Sequence, residues 1–282
     1  MSISQSLLLL LNKCFKPPVH PFNLRTDGKA SYAEWQFAKG DRTIAYYTAY
    51  ASPREMFGDK DVLDVGCGAA GKSVYFASLG ARRVVGLDVL ERYRGEALEL
   101  AEQKGYAGRF EYVCANAAAT GFEDRSFDTV IMNDAMEHVA DPEAVIVECM
   151  RLLRPGGRLY INFPPYYHPY GAHLSDAIAI PWVHAIFPER TLIAAYKKLV
   201  GDLPDGAERI SLRISGGDTE YLSYINRMTV GRFRKILESL PVKCLYYREE
   251  PLRGFLRTLS RLPGLKEFFI KMVVAVLEPR SE

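Results

Sequence analysis

What this sequence lacks narrows its function first. It has no C-x-x-C pair. The five cysteines, Cys14, Cys67, Cys114, Cys149 and Cys244, stand singly, which argues against a zinc site or a disulfide framework and fits a cytoplasmic chain with free thiols. It has no excess of one charge. The 36 Lys and Arg against 34 Asp and Glu leave a net +2, too balanced for a nucleic-acid footprint, so no nucleic-acid partner is expected. It has no apolar run long enough to span a bilayer. The run Leu7–Leu11 in "SISQSLLLLLNKCFK" has no positive charge before it and no small-residue cleavage site after it. A signal peptide is therefore not expected, and the run leaves open a surface helix that packs or touches lipid. Internal repeats and low-complexity segments are absent too. What remains, 48% hydrophobic and 25% charged over 282 residues, suits a soluble α/β domain with an elaboration, or two small domains.

Along the chain, apolar periodicity alternates between strand and helix. Residues 17–28 are turn-rich, and 31–57 reads as one or two helices. Short apolar runs predict strands at 61–66, 82–89, 110–116, 127–134 and 158–163. Between them 72–80, 91–105 and 142–157 read as helices, with Gly80 and Gly105 as stops and Pro142 in a first turn. A helix at 229–240 precedes strands at 242–249 and 271–278, with an apolar-striped helical stretch between those two. Alternation of this kind predicts an α/β fold with a doubly wound, mostly parallel sheet, whose ligands bind at the carboxyl ends of the strands. The expected organisation is an N-terminal helical segment over 1–57, a cofactor-binding core over 58–163, an insertion over 164–228, and a return to the core sheet over 229–282.

The string "DVGCGAAGKS", residues 64–73, admits several ligands. From Gly66 it spells the phosphate loop G-x-x-x-x-G-K-S, with Gly71, Lys72 and Ser73 in place. Its G-x-G-x-x-G also suits a dinucleotide. From Asp64 it spells D-x-G-x-G, a turn that holds S-adenosylmethionine. Two carboxylates weigh the choice: Asp64 just before the turn, and Asp88, which ends the second strand 22 residues past Gly66. Together they repel a triphosphate but accept hydrogen bonds from ribose hydroxyls and an ammonium group. S-adenosylmethionine offers those groups and no phosphate. Asp134, after "TVIMN", keeps a P-loop nucleotide site as an alternative. Lys72 is read here as no more than the opening of a helix.

Together "VLDVGCGAAG", "VVGLDV", "SFDTVIMNDAMEHVADPEAVIVECMRLLRPGGRLYI" and "VVAVLEP" resemble a class I S-adenosylmethionine-dependent methyltransferase, of the small-molecule and quinone-type branch that carries "EHV-x-DP…LLRPGG". The resemblance covers roughly 58–163 and, more loosely, 229–279. It implies a Rossmann-like seven-stranded sheet whose last strand, 271–278, runs antiparallel between the fifth and sixth. It implies S-adenosyl-L-methionine as cofactor, with Asp64, Gly66 and Gly68 against the methionine part, Asp88 on the ribose and Val89 on the adenine. Asn116 stands where the family usually has an acid near the adenine amino group. Asn133 and Asp134 would lie beside the methionine moiety. Ala70 replaces a glycine found in many relatives, so the turn must tolerate a Cβ there.

The resemblance stops at 164. Segment 164–228 is too long for a plain loop and is read as a substrate lid at the carboxyl edge of the sheet. Tyr166, Tyr167, Tyr170, Trp182 and Phe187 suggest a small hydrophobic or aromatic substrate. The string "NFPPYY" is similar to the N/D-P-P-Y of DNA amino-methylating enzymes, but it follows the fifth strand rather than the fourth, which argues against a DNA substrate. His173 with Asp176 three residues on is the candidate base and orienting carboxylate, on one helical turn. Glu137 and His138 are read as opening the helix after the fourth strand; they face the cleft by analogy with the family and are the other catalytic candidates. His168, His173 and Asp176 match no metal-site spacing, so no metal is expected.

Leu252, Phe255, Leu256 and Leu259 fall at helical spacing beside Arg253, Arg257 and Arg261. Either a helix packed on its own domain or a peripheral membrane contact fits. The expected activity is methyl transfer to a small lipophilic or aromatic metabolite. Its rival from another class is a cofactor-holding partner subunit without turnover.

Overall fold

In a computed structural model the chain forms two compact units. A sheet unit comprises Ala30–Phe163, Gly231–Glu250 and Met272–Glu282, and a helical unit comprises Met1–Lys29, Pro164–Val230 and Pro251–Lys271. The structure describes residues 2–24, 31–217, 219–254, 256–262 and 264–280. Its strands are β1 (Asp61–Val65), β2 (Arg83–Asp88), β3 (Phe110–Cys114), β4 (Phe127–Asn133), β5 (Leu153–Phe163), β6 (Ile214–Ser215), β7 (Tyr221–Leu222), β8 (Val242–Pro251) and β9 (Ile270–Pro279).

The sheet unit has one seven-stranded sheet in the order β3-β2-β1-β4-β5-β9-β8. Strands β1 to β5 pair in parallel, and β9 pairs antiparallel with β5. This is the α/β sheet expected, with the last strand inserted where the resemblance implied. The sequence builds it because its strands are apolar on both faces: Val62–Val65 and Val84–Leu87 are buried throughout, as strands covered by helices on both sides must be. The helix expected over 142–157 spans Pro142–Leu152, with Asp141 capping its start through the Ala144 N–H at 3.0 Å. The "RPGG" string instead enters β5, where a register shift between Phe127 and Thr129 of the partner strand absorbs the extra residues. Segment 31–57 makes three short helices, Tyr32–Phe37, Gly40–Ile44 and Pro53–Phe57. Ser31 with Glu34 and Ser52 with Glu55 form capping boxes on two of them.

The strand order reverses between β1 and β4. Their carboxyl ends therefore open side by side at the switch point where ligands of such sheets bind. Helix Gly71–Ser78 follows the turn after β1 and packs close to helix Tyr32–Phe37. A Cβ on Gly71 would fall 1.9 Å from the Ala33 carbonyl oxygen, so only glycine permits that approach.

The helical unit has its own core, built from Leu8 of helix Ile3–Asn12, the buried side of helix Glu189–Val200, and Ala172, Leu174, Ile178 and Ile180. The Asn12 side chain donates to the Ala177 carbonyl and accepts from the Ala179 N–H, both at 2.8 Å, which fixes the irregular segment before Trp182. Strands β6 and β7 form a small antiparallel hairpin. The apolar stripe expected over 252–269 as a helix breaks into the single turn Leu256–Leu259 and a 3₁₀ turn at Lys266–Phe269. Phe255 lies outside the described residues.

Candidate cofactor site

The site grows from the turn after β1. Gly66 and Gly68 take φ of 73° and 56°, the left-handed region open to glycine. Ala70 takes φ 57° with its side chain buried, so the turn does carry a Cβ there, at the cost of about 1–2 kcal/mol that the left-handed conformation imposes on L-residues.

Five N–H groups of this turn are consumed by the protein. Those of Gly66 and Cys67 donate to the Leu87 carbonyl at 2.8 and 3.1 Å, and that of Ala70 to the Cys67 carbonyl at 2.9 Å. The Gly68 N–H donates to Asp88 Oδ2 at 2.8 Å, and the Gly71 N–H to Gln36 Oε1 at 3.0 Å. A phosphate loop works by aiming such donors at the ligand. Here they point at carbonyls, an amide and a carboxylate, so the residues do not fit a triphosphate.

Carboxyl groups dominate the rest. Asp64 is 2% exposed and accepts from Ser73 Oγ at 2.6 Å. Burial pushes its pKa up to about 6, against the Ser73 hydrogen bond and the Lys72 charge. Asp88, half-buried at the end of β2, accepts from the Leu90 N–H at 3.0 Å as well as from Gly68. Burial raises its pKa too, opposed by those backbone bonds. A carboxylate has about four lone-pair sites, so two N–H donors leave room for ribose hydroxyls. Val89, next in the chain, is 66% exposed. Asn116 is exposed, and its Oδ1 already accepts from the Ala118 N–H at 3.0 Å in an Asx-turn.

At the end of β4, Asn133 is buried. Its Oδ1 accepts from Tyr47 Oη at 2.8 Å and from Asn162 Nδ2 at 2.7 Å. Burial holds the Tyr47 hydroxyl well above the ordinary phenol range. Asp134 sits at φ 51° and pairs through Oδ2 with Lys72 Nζ at 2.8 Å. Glu137 and His138 lie in a turn before the helix that Asp141 caps, rather than opening that helix. Glu137 is 3% exposed, and burial first, then the Asp134 charge, raises its pKa well above the carboxylate range. His138 Nε2 lies 3.8 Å from Glu137 Oε1. Gln36, Tyr47, Lys72 and Asn162 are contributors that reading the sequence did not find.

His173 and Asp176 belong to the helical unit. The helical turn expected for them is absent, because His173 takes φ 53° within a run of turns. Asp176 accepts from Tyr196 Oη at 2.9 Å and from Arg209 Nη1 at 3.3 Å, and its Oδ1 lies 3.2 Å from Arg213 Nη2. Both arginines are at most 2% exposed, and Arg213 Nε donates to the His173 carbonyl at 3.0 Å. The aspartate thus reaches the histidine's backbone through Arg213.

Comparison with known proteins agrees with this geometry. Residues 63–161 match the family described as methyltransferase domain. This part of the chain carries a methyltransferase domain. A ubiquinone biosynthesis O-methyltransferase of Parvibaculum lavamentivorans is 33% identical over 144 residues, 51% of this chain and 52% of that protein. A sterol 24-C-methyltransferase of Aspergillus fumigatus is 32% identical over 149 residues, 49% of this chain and 39% of that one. The chain spans about half the length of the curated relatives it matches. The fold is shared with a crystal structure of a putative S-adenosylmethionine-dependent methyltransferase from Listeria monocytogenes. That likeness has a TM-score of 0.54 at 16% identity and covers 86% of this chain and 100% of that one.

Proposed function

We propose that this protein transfers a methyl group from S-adenosylmethionine to a small lipophilic or aromatic molecule. The observation that carries this reading is the glycine turn whose own N–H donors are spent internally while Asp64 and Asp88 flank it. Such a turn favours a ligand rich in donors and poor in phosphate. In this reading Asp88 holds the ribose, Val89 packs on the adenine, Asn116 lies near its amino group, and Asp64, Gly66, Gly68 and Asn133 line the methionine end. The bound cofactor supplies an electrophilic methyl carbon on a sulfonium leaving group, and the chain supplies the positioning.

The relatives are named for ubiquinone biosynthesis and for sterol methylation, which supports a lipophilic acceptor. A hydroxyl acceptor needs a base, and His138 and His173 are the proposed candidates. Glu137 flanks the first. Asp176 supports the second through Arg213, because its carboxylate is held by arginines and a tyrosine rather than turned to the ring. Residues 164–228 are proposed as the substrate-covering segment.

A peripheral membrane contact is proposed for 251–271. Leu262 and Leu265 are 45% and 47% exposed there, and Arg253, Arg257 and Arg261 are exposed beside them. The aromatic recess of Trp182, Leu265, Phe268 and Phe269, about 220 Å³, belongs to the same unit. No helix among the described residues is long and apolar enough to cross a membrane.

Incubation with isotopically labelled S-adenosylmethionine and a lipid-containing cell extract tests the reading. A labelled, extractable small molecule is expected. Cofactor binding with no labelled product from any extract fraction favours the non-catalytic subunit instead. Anionic vesicles should sediment the protein at low salt and release it at high salt. Absence of sedimentation at low salt removes the membrane contact.

A further inference from the structure

S-adenosylmethionine ends in an amino acid, so its ammonium and carboxylate leave from one carbon. The sheet unit offers carboxyl groups in number for the ammonium and the ribose, namely Asp64, Asp88 and Asp134, with Glu137 beside them. None of these receives a carboxylate. Lys72 can.

Lys72 lies in the first turn of helix Gly71–Ser78, with its side chain 14% exposed and Nζ 2.8 Å from Asp134 Oδ2. Among the described residues Asp134 is the hydrogen-bond partner of that ammonium, and an ammonium has three donors. Burial acts to discharge the lysine, but Asp134, with Asp64 and Glu137 behind it, raises its pKa overall, so the cation persists. The partner is itself fixed. Asp134 stands in the left-handed region, and its N–H meets the Asn162 carbonyl at 3.0 Å and Asn162 Oδ1 at 3.3 Å. Asn162 in turn donates to Asn133 Oδ1, which Tyr47 also holds. A chain of polar contacts from the buried Tyr47, Asn133 and Asn162 out to the exposed Asp134 thus sets a cation beside an acidic site.

We propose that Lys72, held by Asp134, receives the carboxylate of the cofactor's amino-acid end; this rests on the cofactor reading above. The lysine then sets specificity for the complete amino acid over ligands that lack the carboxylate.

Titration calorimetry with S-adenosylhomocysteine and with decarboxylated S-adenosylmethionine tests this. Lys72→Met should weaken S-adenosylhomocysteine binding by about tenfold to a hundredfold, the range for a lost charge-assisted hydrogen bond. Decarboxylated S-adenosylmethionine should bind that variant and the unaltered protein within about threefold, since it has nothing for Lys72 to hold. Lys72→Arg should recover most of the loss. Lys72→Gln, which keeps a neutral donor beside Asp134, should repeat the selective loss even where Lys72→Met unfolds. Equal losses for both ligands would mean that Lys72 serves only to hold Asp134, and unchanged binding of both would remove it from the site; either overturns the proposal. If the unaltered protein binds neither ligand, the cofactor reading itself falls.

Discussion

Ser73 donates its hydroxyl to Asp64 Oδ2 at 2.6 Å, nine positions away and out of water. This single bond does not offset the desolvation of the carboxylate, whose pKa rises to about 6. In the unfolded chain it titrates near 3.8. The folded protein therefore binds this proton more tightly than the unfolded one. The corresponding stability is fully present below about pH 4 and is lost as pH rises through about 6, on the order of 3 kcal/mol in all. Asp64→Asn should remove this slope, so urea midpoints of the two proteins should diverge between pH 4 and pH 7 in favour of the variant at the higher pH. Parallel curves across that interval would contradict the assignment.

Asp176 sits between two arginines that are almost fully buried. Removing one partner of a buried charge cluster costs about 3–5 kcal/mol, because the remaining charges lose their counter-ion. Asp176→Ala should therefore lower the melting temperature by many degrees, before any effect on turnover is read. An unchanged melting temperature with slowed methyl transfer would instead return Asp176 to a role as an orienting carboxylate.

Glycines at similar sequence positions should respond in opposite ways. At Gly71 an added Cβ would lie 1.9 Å from the Ala33 oxygen, whereas at Gly95, in helix Arg94–Gln103, nothing stands within 4 Å. Gly71→Ala should destabilise by about 3 kcal/mol or more through overpacking. Gly95→Ala should stabilise by up to about 1 kcal/mol through helix propensity. Thermal denaturation of both variants checks the pair, and a tolerated Gly71→Ala would mean that the two helices do not approach as described.

The candidate bases can be separated by what each variant spares. For a hydroxyl acceptor, alanine at the true base should slow methyl transfer by about a hundredfold and leave S-adenosylhomocysteine binding within a few-fold. His138→Ala and His173→Ala are the two arms. Glu137, whose carboxyl is pushed toward the protonated form by burial and by Asp134, should tolerate replacement by the isosteric Gln with little change in stability at pH 7. A large loss there would mean that its charge is used.

The sheet was legible because it is covered on both faces. Full burial turns β1, β2 and β4 into near-continuous apolar runs bounded by glycine and polar residues. The acids at the glycine turn were legible because Asp64 and Asp88 fall at fixed offsets from it. Lys72 was not, since its partner Asp134 lies 62 positions away and meets it only when β1 and β4 become neighbours. Gln36 and Tyr47 escaped notice for the same reason: Gln36 reaches the site from helix Tyr32–Phe37 and Tyr47 from the turns after helix Gly40–Ile44. The helical reading of His173 and Asp176 rested on spacing alone and passed over Pro169 and Gly171 just upstream. The stripe at 252–269 likewise contained its own breakers, Gly254, Pro263 and Gly264.

Calorimetric titration of the unaltered protein with S-adenosylhomocysteine, and separately with ATP and magnesium, tests the central claim most directly. The account predicts saturable binding of S-adenosylhomocysteine and no measurable heat from ATP, because the turn's N–H donors are already occupied. Asp88→Ala should weaken S-adenosylhomocysteine by at least tenfold through loss of the ribose acceptor. Binding of ATP without binding of S-adenosylhomocysteine would contradict the account and make the glycine turn a phosphate loop.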